Sequence, residues 1–73
     1  MNSIDLHGVK HENVGSILDA FIWENMKLNK SGVKIITGNS EYMKNIVYEI
    51  AEEYGFTVAE GYFNTGELII NFI

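Results

Sequence analysis

Asp5 and His7 stand two residues apart in the stretch "SIDLHGVKHENV", residues 3–14, which alternates polar and apolar side chains until Gly8 breaks the pattern. Two apart on an extended chain puts both side chains on one face. A carboxylate beside an imidazole is a simple acid–base couple. The histidine changes charge near neutrality, and the carboxylate either orients it or helps to hold a divalent cation, magnesium or manganese. A plainer use of the same residues gives both to the backbone, Asp5 as a cap on the adjacent loop and His7 as a turn residue bonded to a main-chain group. A second stretch, "TGNS" at 37–40, brings small polar groups and a glycine to the end of an aliphatic run, the composition of a turn that can hydrogen-bond an anion.

The surrounding elements must position these groups. Residues 3–6 alternate and predict a short strand with Ile4 and Leu6 turned inward. Val14, Ile17, Leu18, Phe21, Ile22 and Met26 recur at helical spacing and predict a helix over roughly 11–29. Glu12 suits its start, Lys27 and Lys30 its end, and Ser31-Gly32 its stop; Trp23, beside the stripe, is expected to close the edge of the core. The β-branched run "VKIIT" (33–37) reads as an interior strand. Met43, Ile46, Val47, Ile50, Ala51 and Tyr54 mark a second helix, with Ser40 or Asn39 as its N-cap and Gly55 as its end. "FTVAEGYF" (56–63) and "ELIINFI" (67–73) flank "NTG", as the two arms of a hairpin do.

The order β-α-β-α-β-β predicts an α/β two-layer sandwich: a mixed four-stranded sheet with both helices on one face. Parallel pairing of the first two strands sets their carboxyl ends at one edge, about 5 Å apart, where α/β sheets bind ligands. Asp5 and His7 then point to the uncovered face, and each loop leads into a helix N-terminus.

Seventy-three residues make a single domain, 1–73, and the absence of cysteine removes disulfides and thiolate metal sites. Ten acids against five lysines, without one arginine, give a net charge of −5 and no basic patch for gripping phosphates. No stretch reaches the ~20 apolar residues of a spanning helix, and no signal-type leader opens the chain, so a cytoplasmic protein with no membrane contact is expected.

"IDLHGVKHENV" resembles the "LDLHG" opening of the Smr (small MutS-related) domain, down to a glutamate four residues past the glycine, here Glu12. "VKIITGNSEYMKNIV" is similar to that family's second block, an aliphatic strand entering a histidine-glycine-lysine-glycine loop and a helix that opens with a leucine-arginine pair. "NTGELIINFI" resembles its glycine-containing hairpin and last strand. The resemblance implies the fold of a bacterial translation initiation factor's C-terminal domain and contact with DNA or RNA, many members being nicking or RNA-cleaving endonucleases and some metal-dependent. Asp5, Leu6, His7 and Gly8 match the first motif, Gly38 the loop glycine, and Lys44 takes the arginine place. Thr37, Asn39 and Ser40 stand where the family pattern has histidine, lysine and a second glycine.

Two functions of different class follow. In a nuclease, Asp5 and His7 would be catalytic and Gly8, Lys10, Thr37, Gly38, Asn39, Ser40 and Lys44 would hold the phosphate; binding without cleavage uses the same surface. In a protein-interaction module, the open sheet face with Lys34 and Ile36 would dock a partner or a second copy, as a homo-oligomer or as a competitor of a larger Smr-containing protein.

Overall fold

The alternation in the chain's first residues becomes β1 (Asn2–Asp5), followed by α1 (His11–Lys27), β2 (Gly32–Ile36), α2 (Glu41–Tyr54), β3 (Thr57–Glu60) and β4 (Glu67–Asn71). This computed structural model describes residues 1–61 and 64–73. The expected third strand ran to residue 63; its last two residues, Tyr62 and Phe63, lie outside the described residues.

The four strands form one sheet in the order β1-β2-β4-β3. β1 is parallel to β2, while β4 runs antiparallel to both of its neighbours, β2 and β3. Cα partners line up across the sheet, Ile4 with Ile35 and Leu68, Asp5 with Ile36 and Glu67. Because side chains alternate along a strand, the first of these rows points to one face and the second to the other.

The buried face is set by Leu6, Val33, Ile35, Leu68 and Ile70, which pack in one core with Val14, Leu18 and Ile22 of α1 and Met43, Val47 and Ala51 of α2. Both helices therefore cover the same face. Full burial of each large aliphatic side chain contributes about 1.5–3 kcal/mol. The opposite face carries Ser3, Asp5, Lys34, Ile36, Glu67 and Ile69 with no helix over them, the two-layer arrangement that the element order predicts.

Three details depart from expectation. Trp23 does not close the core edge: it is 56% exposed, because nine residues at about 100° each place it half a turn away from the buried Val14. Ile17, at the margin of the apolar stripe, is 38% exposed. The stop of α1 is Asn29 at φ 58°, not Ser31-Gly32. The backbone N–H groups of Asn29 and Lys30 donate to the carbonyls of Met26 and Asn25 at 3.0 and 3.1 Å, closing the helix in a Schellman turn. Gly32 belongs to β2, where a side chain would run into the Ile70 carbonyl.

α2 begins as expected at Ser40, whose Oγ accepts from the Met43 N–H at 3.1 Å. α1 begins at Lys10 without a side-chain cap.

Candidate functional site

The ladder between β1 and β2 ends with the Leu6 N–H donating to the Ile36 carbonyl at 2.8 Å. The chain then reverses over Leu6 to Val9, whose N–H returns to the Leu6 carbonyl at 3.0 Å. Gly8 fills the third position of this turn at φ 83°, a region that side chains disfavour. Asp5 stabilises the reversal by accepting the His7 backbone N–H on Oδ1 at 2.9 Å. Its carboxylate thus shapes the loop through the main chain, and the His7 imidazole is oriented by something else.

That something is the second loop. A Cβ built on Gly38, itself at φ 66°, would lie 3.0 Å from Cδ2 of His7, so the imidazole rests on the bare face of the glycine. The two reversals from parallel β1 and β2 meet at one rim.

A third loop joins them, carried there by the sheet order and not by any local signal in the sequence. Because β4 is antiparallel to β2, the hairpin tip before it lands beside the carboxyl end of β2. The buried Gly66 carbonyl accepts from the N–H groups of Thr37 and Gly38 at 2.8 and 3.1 Å. The Thr37 hydroxyl lies 3.2 Å from that oxygen and 2.8 Å from the Gly38 carbonyl, so its single proton is engaged within the protein. Thr65 Oγ1 donates to Asn39 Oδ1 at 3.1 Å, and Asn64 Oδ1 accepts the Gly66 N–H at 2.8 Å.

The residues named from sequence thus fall into two groups. His7, Gly8, Lys10 and Asn39 are exposed at the rim, whereas Thr37, at 2% exposure, and Ser40, as the α2 cap, are committed to holding the loops. Lys44, one turn into α2, is buried to 6% exposure and forms no ion pair among the described residues.

Beside this rim the two helix starts touch. The His11 and Tyr42 rings stack with centroids 4.3 Å apart and planes 24° from parallel, and Tyr42 remains 61% exposed. A shallow groove of about 420 Å³ adjoins them, lined by Val9, Lys10, His11 and Glu12. The sequence signal for this contact is an aromatic residue near the start of each of two neighbouring helices.

A divalent cation at Asp5 is not favoured by the donor set. One oxygen of Asp5 already accepts the His7 N–H. Glu67, on the same row of the open face, is two strands away, about 10 Å at ordinary strand spacing, and pairs with Lys34 at 3.8 Å. Among the described residues no three histidine, aspartate or glutamate side chains gather as a metal site.

Electrostatically the rim is mixed. Lys10 and Lys44 lie on its elements, and so do Asp5, Glu12, Glu41, Glu60 and Glu67.

The chain matches no protein-family model and no curated protein. Among solved structures it is similar to the Smr domain of Thermus thermophilus MutS2, with a TM-score of 0.87 at 14% identity, over 97% of this chain and 96% of that one. The chain has an Smr-like fold, and it has no helix long and apolar enough to cross a membrane among its described residues.

Proposed function

We propose that this Smr-like domain binds nucleic acid at the rim where its three loops converge, and that it does so without cutting the strand. The observation that supports binding is the seating of an exposed imidazole on Gly38, beside Asn39 and Thr65, at the carboxyl ends of two parallel strands. Such a surface offers hydrogen bonds to phosphate, sugar or base from groups already held in place.

Cleavage asks for more than this rim supplies. A phosphodiester cut needs a base, an acid and a stabiliser of the charge on phosphorus. Asp5 accepts a main-chain N–H, and the Thr37 proton is engaged by two carbonyls. His7 remains, an exposed titratable group seated against the second loop.

The test pairs two assays. Fluorescently labelled DNA and RNA oligonucleotides should bind the purified protein at low salt, and His7→Ala should weaken that binding with little change in melting temperature. Supercoiled plasmid and RNA incubated with protein and magnesium or manganese should remain intact. Cutting by the parent that disappears in His7→Ala would establish a nuclease instead, whereas equal cutting by both would mark a contaminant.

A second reading draws on a different surface. Ile36 and Ile69 sit half-buried on the uncovered sheet face, flanked by the Lys34–Glu67 pair, a small apolar patch suited to a protein partner. Loss of a nuclease-resistant pull-down partner in Ile36→Asp would support it.

A further inference from the structure

We infer that the stacked His11–Tyr42 pair is a platform for an unpaired nucleobase, which makes the domain selective for single-stranded over double-stranded nucleic acid. This rests on the nucleic-acid reading above and names the form of ligand that the rim takes.

Charge is the first reason. With a net charge of −5, and with acids alongside the lysines at the rim, affinity from neutralising phosphates is small. A nucleic acid held here must be gripped by its bases. In a duplex the faces of interior bases are already stacked, so base faces are accessible mainly in single strands and at ends.

Geometry is the second. Tyr42 keeps 61% of its surface in water although its ring is packed parallel to that of His11, at 4.3 Å and 24°. The pair is thereby fixed in orientation without being covered. The shallow groove beside His11 is walled by Val9, Lys10 and Glu12, which set an apolar contact and a cation next to a carboxylate. The loops carrying His7 and Asn39 begin on the same rim, where the next nucleotide of a strand would pass. Stacking on an aromatic ring is tolerant of base identity, so the selectivity concerns strandedness and not sequence.

The same chemistry would take a base from a strand or from a free nucleotide. Fluorescence anisotropy at fixed salt with a labelled single-stranded oligoadenylate, the matching blunt duplex and an abasic strand of equal charge separates these cases when run beside a titration with AMP. The parent should bind the single strand more tightly than the duplex or the abasic strand. Tyr42→Ala should weaken single-strand binding on the order of tenfold, with Tyr42→Phe close to the parent, and should leave abasic-strand binding unchanged. Upfield movement of the His11 ring protons in NMR spectra on adding the oligonucleotide would report the stack directly. AMP binding of comparable strength with the same Tyr42 dependence would support the platform and assign its ligand as free nucleotide. Undiminished single-strand binding in Tyr42→Ala, with His7→Ala still weakening it, would overturn the platform and leave the rim reading standing. Absence of any binding by the parent would overturn both.

Discussion

Gly38 carries a double constraint at the scale of single residues. Its φ of 66° disfavours a side chain, and a Cβ there would press on His7 Cδ2 at 3.0 Å. Gly38→Ala should therefore cost about 1–2 kcal/mol from the backbone alone, measured by urea denaturation, and should displace the imidazole as well. Binding ought to fall beyond what the loss of stability explains. Asp5 teaches the complementary lesson. Its spacing from His7 was legible in the sequence, but β1 ends at Asp5 and His7 lies in the turn beyond it, and spacing does not distinguish a carboxylate aimed at an imidazole from one aimed at a main-chain N–H. The short Asp side chain reaches the amide two residues on more easily than the ring beyond it, and the local bond won.

Between elements, two polar ties act where apolar packing alone would leave freedom. Asn25 is 2% exposed on the inner face of α1, donating to the Phe21 carbonyl at 2.9 Å and accepting from Asn2 Nδ2 at 2.7 Å, so it clamps the start of β1 to the end of α1. Asn25→Ala should destabilise by about 1–2 kcal/mol, and a double-mutant cycle with Asn2→Ala should show the two to be coupled. A polar residue interrupting an apolar stripe is visible in sequence, but its partner lies on another element and is not. The second tie joins the helices: the Tyr54 hydroxyl donates to the Asp19 carboxylate. That bond, with lesser help from desolvation and from the charges of Asp19 and Glu53, raises the Tyr54 pKa above its usual 10.0. Since the folded value lies above the unfolded one, the contribution to stability is complete below pH 10 and is lost as the pH climbs through the folded value. Titration of phenolate absorbance should show a late component that Tyr54→Phe removes, and the variant should lose less stability than the parent above that pH.

For the molecule as a whole, topology was the most legible property, because two helices can cover only one face of a sheet and a strand-helix-strand unit pairs in parallel. The element order, the buried aliphatic positions and the meeting of the first two loops all follow from that. What escaped was the arrival of the hairpin tip at the same rim, which depends on β4 inserting between β2 and β3 and not on any local signal. Charge is likewise a global property with a local consequence. If a single strand contacts only the exposed Lys10 as a cation, Lys44 being buried, counterion release predicts that raising salt from about 50 to about 200 mM weakens binding by about two- to threefold. A much steeper loss in anisotropy titrations would mean that phosphates dominate the contact after all.

The carbonyl of Gly66, sought by two amides and a hydroxyl from the neighbouring loop, ties the recognition surface to the middle of the sheet. That loop cannot be repositioned by a hinge of its own: to shift Thr37 and Gly38 is to begin prising β2 from β4. Binding here should accordingly proceed as docking onto a ready-made shape, and natural or designed variants that retune the ligand would have to arise among the outward side chains, leaving the scaffold beneath them untouched.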